Sequence, residues 1–240
     1  MEVLKYLNIP LIEPQRVFVK DIVAQLNVTG NDKKIIESHI STIKLVSLLS
    51  EQTIRIRSYK DDNYSFFAIY VFYIDLKTDD NITELCTLIH SAFPESTLLI
   101  LNCNNKKYFS TASKRINKLD NTKTVLEDYI VTELKGNYEQ YINLSNIKGF
   151  NLKEYNDNLV KLNYKLKVLN VTNIFPMKDV NYKELIKEYE KLNSLINKLK
   201  QDYKQANMKS EKMRIDDELF EAELELKKLI KHIKGGQWYG

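Results

Sequence analysis

The stretch that decides the C-terminal architecture runs from residue 182 to residue 233 and reads YKELIKEYEKLNSLINKLKQDYKQANMKSEKMRIDDELFEAELELKKLIKHI. Apolar side chains recur in it with alternating steps of four and three residues, a spacing that places them along one face of an α-helix. Two ladders result, and because they are out of phase, we expect a break between Asn207 and Lys212. The first ladder contains Leu185, Tyr189, Leu192, Ile196, Leu199, Tyr203 and Ala206, and the second contains Ile215, Leu219, Ala222, Leu226, Leu229 and Ile233.

These ladders indicate an interaction element, because a long helix cannot bury an apolar seam by itself. The seam predicts either a hairpin packed within the chain or a coiled coil formed with a second copy or a partner protein. Glutamate and lysine residues also lie three or four positions apart, as at Glu184 and Lys187 or Glu223 and Lys227. Such pairs lie side by side on a helix, so we expect amphipathic helices of mixed charge.

Length and composition set ordinary limits on the rest of the chain. With 240 residues, of which 43% are hydrophobic and 28% charged, the chain can bury one core and carry a helical extension. We expect a mixed α/β domain over 1–176, a helical hairpin or coiled coil over 177–234 and a flexible tail over 235–240. Pro176 supports the boundary, since it disfavours helix at Phe175.

The cellular location is predicted from what the sequence lacks. It contains no apolar run of about eighteen residues and no N-terminal signal-peptide pattern, so we expect a cytoplasmic protein without membrane association. The formal net charge of +4 is too small to indicate nucleic-acid binding unless the cations cluster locally.

Hydrophobic periodicity predicts the elements of the first domain. The order of helices and strands favours a mixed α+β fold, with a small mixed sheet and flanking helices, over a doubly wound sheet. Residues 64–76 are rich in aromatic and β-branched side chains and predict the central strand, which forms a hairpin with the strand before it. The predicted helices are 32–49, 81–93 and 152–168, and the other predicted strands are 53–59, 97–103, 107–111 and 125–134.

Several short motifs together resemble a bacterial family catalogued as domain of unknown function 4391. They are Ile9-Pro10, Leu76-Lys77, Phe93-Pro94, the run 112–117, Asp128, Tyr129, Thr132 and the closing Lys-rich helical pair. The resemblance implies a bacterial protein encoded beside DNA methyltransferases and helicases of restriction or phage-defence systems. Members of the family carry an acidic residue early in the central strand, where this chain has Ala68.

A basic window is the first candidate site. Residues 96–119 contain no Asp or Glu, and several cations and an aromatic side chain on one strand edge would bind the phosphates and stack the bases of DNA or RNA. Alternatively, the lysines protect a strand edge from pairing with another chain. The candidate residues are Lys106, Lys107, Tyr108, Lys114, Arg115 and Lys118, with Arg55 and Arg57 as extensions, and we expect Lys106, Lys107, Lys114 and Arg115 to face solvent.

A magnesium-dependent nuclease of the PD-(D/E)xK type is the alternative hypothesis. Its residues would be Asp62, Asp75 and Lys77, with the carboxylates holding Mg²⁺ and the lysine positioning water or phosphate. Asp/Glu-x-Lys triplets recur elsewhere in the chain, so the motif is a weak signal. Cys86 and His90 lack further ligands at metal spacing, and we predict no catalytic residues, no metal site and no cofactor.

The sequence thus predicts a non-catalytic accessory or interaction subunit of a bacterial DNA-modification or phage-defence assembly. The C-terminal helices would bind protein partners, such as a DNA methyltransferase or helicase, and the basic window would contact nucleic acid. The nuclease is the leading alternative, and a structural homo-oligomer formed through the C-terminal helices is the second.

Overall fold

The computed structural model describes residues 2–26, 30–120, 122–177 and 180–235. It shows a mixed α+β protein with a six-stranded mixed sheet and long C-terminal helices, as predicted. The chain forms two compact units, Met1–Leu166 and Lys167–Gly240. Within the described residues, no helix is both long and apolar enough to cross a membrane. The predicted tail from residue 236 onward lies outside the described residues.

The helices and strands are numbered in chain order. The helices are α1 (Leu4–Leu7), α2 (Val19–Leu26), α3 (Asn31–His39), α4 (Glu51–Ile54), α5 (Ile82–Ala92), α6 (Leu152–Thr172), α7 (Tyr182–Gln205) and α8 (Lys209–Gly235). The strands are β1 (Gln15–Val17), β2 (Ile40–Ser50), β3 (Tyr59–Lys60), β4 (Ser65–Phe66), β5 (Ala68–Leu76), β6 (Ser96–Cys103), β7 (Lys106–Ile116) and β8 (Thr124–Glu133). The division between the two compact units falls inside α6.

The main sheet has the strand order β1-β2-β5-β6-β7-β8, and β3 pairs with β4 in a separate hairpin. The predicted central strand is confirmed over Ala68–Leu76, since β5 lies inside the sheet, but its predicted hairpin with the preceding strand is wrong, because β5 pairs with β2 and β6. It pairs in parallel with β6, and the chain between them forms α5, whereas the other neighbouring strands pair antiparallel. A parallel pair needs such a crossover connection, and its strands are usually covered on both faces.

Helices α2, α3 and α5 cover one face of this sheet. Their apolar side chains pack with Phe72 and Ile74 of β5 and with Leu99 and Leu101 of β6. Both cysteines, Cys86 and Cys103, are free and belong to this buried cluster, as expected for thiols in the core.

Helix α6 lies on the other face, where two buried asparagines bond it to the strands. Asn163 Nδ2 lies 3.0 Å from Phe109 O of β7 and 2.9 Å from Ile130 O of β8, and Asn156 Nδ2 donates to Ala112 O at 3.1 Å. Asn163 is fully buried, so its hydrogen bonds replace water that the strand carbonyls would otherwise keep.

The helix predicted over 32–49 is wrong in its second half. Helix α3 ends at His39, and β2 follows directly, paired with β5. Two register irregularities in β2 explain the misleading pattern, because they fall between Ile40 and Thr42 and between Leu45 and Ser47. Each bulge adds a residue, so buried side chains recur three positions apart and imitate a helical face.

The strand predicted over 53–59 is also wrong. Ser50 and Thr53 form a capping box that starts the short helix α4, and Arg55 ends that helix in the left-handed region with φ 58°. The alternation of Ile54 and Ile56 with arginines therefore marks a turn. Residues 59–60 form the two-residue strand β3.

The C-terminal helices α7 and α8 pack against each other within the chain. The break lies between Gln205 and Lys209, close to the predicted position. Lys200 and Glu223 form an ion pair across the two helices at 2.9 Å. Their shared buried cluster contains Ile196, Leu199, Ala206, Ile215 and Ala222, with Leu219 and Leu226 packed against it. The ladder residues thus form the seam of an intramolecular hairpin.

Replacing Asn163 by Leu should destabilise the protein by about 1–3 kcal/mol, because buried carbonyl oxygens of both β7 and β8 lose a donor. Urea unfolding followed by circular dichroism measures the change. Asn158→Leu is the matched control, since the Asn158 amide on the same helix makes an exposed hydrogen bond to Lys148 O. An equal loss in both variants would contradict a special role for Asn163.

Replacing Leu199 by Ala should cost about 2–4 kcal/mol in the free energy of unfolding of the hairpin, because the truncation leaves a cavity in its seam. Leu195→Ala is the control, since Leu195 lies on the same helix and is 44% exposed. Amide hydrogen exchange of α7 and α8 reports the effect locally. Unchanged protection in the Leu199 variant would contradict the intramolecular seam.

Candidate functional site

The basic window lacks acids in sequence, but the fold brings acids to it. Lys106 Nζ lies 2.7 Å from Asp79 Oδ2, and Lys107 Nζ lies 3.7 Å from Glu2 Oε2. The hydrogen bond from Lys106, followed by the one from Tyr108, lowers the pKa of Asp79. These lysines therefore present less positive charge to phosphates than their sequence suggests.

Arg115 also lies beside an acid. Its Nε is 3.6 Å from Glu127 Oε1, and one of its amino groups donates to Ile116 O. The side chain is about one third exposed, at 35%. A carboxylate contact of this kind favours the interpretation in which the cations stabilise the domain over the one in which they bind phosphate.

The expectation that Lys114 faces solvent is wrong. Its side chain is buried, and its Nζ donates to Phe93 O at 2.8 Å and to Glu95 O at 2.6 Å. Phe93 is the C-cap of α5, so the lysine binds carbonyl oxygens at the end of that helix. Burial lowers the pKa of Lys114 to about 7, and the nearby Glu95 carboxylate acts in the opposite direction. A buried lysine in this position cannot contact a phosphate.

The remaining candidate residues for nucleic-acid binding lie on different elements of the fold. Tyr108 is buried, and its hydroxyl donates to Asp79, so its ring is not available to stack a base. Lys118 is exposed in the turn after β7. Arg55 and Arg57 are also exposed, but they follow α4 and do not lie on a strand beside β7.

The nuclease residues lie at two ends of the sheet. Asp62 lines a cleft with Pro94 and Glu95, next to the pairing of Ile69 with Ser96, whereas Asp75 pairs with Asn102 at the other end of β5. Six strand residues separate these positions, which corresponds to roughly 20 Å. The three residues of the nuclease hypothesis therefore do not converge.

Asp75 and Lys77 form hydrogen bonds with other parts of the domain at their own end of β5. Both oxygens of Asp75 accept hydrogen bonds at 3.0 Å, one from Thr42 Oγ1 and the other from Asn102 Nδ2. Lys77 Nζ donates to Glu37 O at 2.9 Å. Within the described ranges, no group of three His, Cys, Asp or Glu side chains is arranged to hold a metal ion.

His90 illustrates a polar side chain with a structural explanation. Its ring nitrogens lie 2.6 Å from Thr97 Oγ1 and 2.8 Å from Ser110 Oγ, in the core between α5 and the sheet. Burial, followed by the nearby Lys114, lowers the pKa of His90 well below its ordinary value. The neutral imidazole thus bonds the helix to β6 and β7.

Sequence reasoning missed the cleft that contains Asp62. Its volume is about 400 Å³, and Glu95 and Asp62 both line it. Burial raises the pKa of Glu95. Asp61, also in the lining, is occupied by its own turn, because it accepts hydrogen bonds from Asn63 N, Tyr64 N and the Tyr59 hydroxyl. The Pro94-Glu95 step before a buried strand was the only sequence signal for this cleft.

The interaction seam occupies the inner side of the hairpin. Leu185, Leu192, Ile196, Leu199, Ile215, Leu229 and Ile233 are buried, Tyr189, Leu219 and Leu226 are partly buried, and Tyr203 is 40% exposed. Lys212 Nζ lies over the Tyr203 ring at 5.7 Å from its centroid. The seam is therefore largely used within the chain.

A second apolar stripe on α8, which sequence reasoning also missed, faces away from that seam. Met213, Phe220 and Leu224 are 62%, 69% and 43% exposed. Their spacing of seven and four residues aligns them on one face of the helix. We call this set the outer stripe. A search of the sequence for a second ladder, out of phase with the seam, would have found it.

The buried Lys114 predicts a specific dependence of stability on pH. The unfolded chain binds this proton with an ordinary pKa near 10.5 and the folded chain with a pKa near 7. The contribution of Lys114 to the free energy of unfolding is therefore lowest below pH 7 and rises with pH towards pH 10.5. From pH 7 to 8.5 the free energy of unfolding should rise by about 2 kcal/mol.

Lys114→Met should remove this rise, whereas Lys118→Met, which changes an exposed lysine in the same segment, should keep it. Urea unfolding at several pH values between 7 and 8.5 measures the free energy of unfolding of the wild type and of both variants. The range lies below the ordinary pKa of the Cys86 thiol, whose burial acts in the opposite direction at higher pH. An identical pH slope in wild type and Lys114→Met would contradict the assignment.

Comparison with known proteins identifies a family. A family model described as Domain of unknown function (DUF4391) matches residues 12–226, which include most of the α/β unit and most of the hairpin. Searches of curated proteins and of solved structures give no match. The matched range includes the motifs at the end of β5 and in β7 and most of the closing helices, whereas Ile9-Pro10 lies outside it. The chain belongs to the DUF4391 family.

Proposed function

We propose that this protein is a non-catalytic accessory subunit that assembles with partner proteins through its C-terminal hairpin. The proposed setting is a bacterial DNA-modification or phage-defence assembly in the cytoplasm, with a DNA methyltransferase or helicase as partner. The resemblance to the family motivates this setting. The contacts of the chain itself motivate the interaction role.

The observation that carries the proposal is the outer stripe. Helix α8 already buries its seam against α7, yet it keeps Met213, Phe220 and Leu224 in contact with solvent. Aligned apolar side chains surrounded by charged residues are typical of surfaces that bind proteins. The hairpin therefore has apolar surface beyond what its own fold uses.

The other hypotheses receive less support from the contacts. A nuclease needs carboxylates and a lysine within a few ångströms of one metal, and Asp62 and Asp75 lie at opposite ends of β5. Nucleic-acid binding by the basic window is weakened by the acids beside Lys106 and Arg115 and by the burial of Lys114. An interaction role needs none of these residues.

The test is capture of partners by the tagged full-length protein in its native host, with mass spectrometry of the captured proteins. Wild type should capture a DNA-modifying or DNA-translocating enzyme, and Phe220→Gln combined with Leu224→Gln should reduce that capture at least tenfold. The reason is that polar side chains remove the apolar contact area. Phe150→Gln is the matched control, because Phe150 is also exposed, at 89%, but lies outside the hairpin.

Equal capture by wild type and the double variant would contradict the proposal. So would Mg²⁺-dependent cleavage of DNA or RNA by the purified protein that Asp75→Ala abolishes. In the second case the nuclease hypothesis would replace the accessory role.

A further inference from the structure

We infer that the outer stripe of α8 binds the α8 helix of a second copy of this chain, with the two helices antiparallel across a two-fold axis at the level of residue 222. The inference rests on the proposed function: the outer stripe joins two copies of the chain, and the dimer formed in this way is the unit that captures the enzyme partner through its remaining surface. It goes further by naming the occupant as the same protein.

The first argument is the exposure of the apolar residues. Met213, Phe220 and Leu224 lie on the opposite side of α8 from the seam residues Ile215 and Ala222, which are buried against α7. With about 100° between successive residues, the stripe and the seam are centred roughly 180° apart on the helix. A second helix can therefore dock on the stripe without disturbing the hairpin.

The second argument is the order of charges along the same face. Asp216 and Asp217 precede the apolar pair Phe220 and Leu224, and exposed lysines follow it. Those lysines are Lys227, Lys228 and Lys231. The face is thus acidic directly before its apolar pair and basic after it, with Lys209 as one further cation at the start of the helix. A parallel copy would place like charges together, whereas an antiparallel copy places opposite charges together.

The third argument is the register, which is symmetric. With the axis at residue 222, Phe220 of one copy faces Leu224 of the other. Asp217 lies on the same side of the interface as Lys228 of the other copy, and Asp216 lies on the same side as Lys227, each within one residue of the same level. The same operation brings Met213 to Lys231, whose methylenes can cover the thioether. An interface related by a two-fold axis must be complementary to itself in this way. One sequence register satisfies the apolar and the charged positions together.

Acids on the sides of α8 do not belong to this pattern. Glu223 is paired with Lys200 of α7 at 2.9 Å, and Lys200, followed by Lys227, lowers the pKa of Glu223. Glu218 is paired with Arg214 at 3.0 Å on the same helix. The aspartates and lysines of the outer face are the charges that remain aligned with the apolar stripe.

The test uses charge reversal in the full-length protein. One variant carries Asp216→Lys and Asp217→Lys, and the other carries Lys227→Glu and Lys228→Glu. Each variant alone should repel its own copies, whereas an equimolar mixture restores opposite charges at every pair. Analytical ultracentrifugation at low salt measures the dissociation constant of wild type, of each variant and of the mixture.

We expect wild type to dimerise, each variant to dimerise at least tenfold more weakly, and the mixture to recover wild-type affinity. Glu221→Lys combined with Glu225→Lys is the control, because it makes the same change in net charge at exposed positions on the side of α8. That control should dimerise like wild type. Recovery in the mixture also shows that both variants are folded.

Several results would overturn the inference. They are a monomeric wild type at concentrations up to about 1 mM, a dimer that both reversals leave unchanged, and a mixture that does not recover. Each would leave the proposed function standing if wild type still captured an enzyme partner that the Phe220 and Leu224 substitutions release. Loss of partner capture with an intact dimer would instead contradict the proposed function alone.

Discussion

The α/β unit depends on the buried amide of Asn163. An edge strand such as β8 is held by hydrogen bonds on one side only, so it needs support from the face of the sheet. Asn163 supplies that support by reaching carbonyl oxygens of both β7 and β8 from α6. Asn156 repeats the contact two helical turns earlier, at Ala112 O. The register of α6 on the sheet is therefore fixed by polar bonds as well as by packing.

The position of β7 inside the sheet explains why the cations of the basic window are not freely exposed. Strand β7 carries most of these cations and lies between β6 and β8, so its side chains alternate between two covered faces. Lys114 falls on the side of α5, whose C-cap carbonyl it binds. Lys106 and Arg115, near the two ends of β7, meet Asp79 and Glu127. A strand inside a sheet has little room to present a row of cations to a polyanion.

The hairpin of α7 and α8 differs from the α/β unit in that one of its helices has two apolar faces. Its helices have one seam in common, which makes them a compact pair, and α8 has a further stripe that the pair leaves exposed. Apolar area on a helix costs solubility unless a partner covers it. In the proposed dimer, the charges around this stripe would make the cover selective, because they fix one register of the two helices.

The sequence by itself determined the elements with a strong local signal. The central strand β5, the helix α5 and the two C-terminal helices are recovered from hydrophobic periodicity, which depends only on neighbours along the chain. The family is recovered as well. Tertiary structure decided the rest: the bulges of β2 imitate a helical period, and Asp79 and Glu127 come to the basic window from other parts of the chain. Burial of Lys114 and separation of Asp62 from Asp75 likewise arise from strand pairing between distant segments, for which local spacing carries no information.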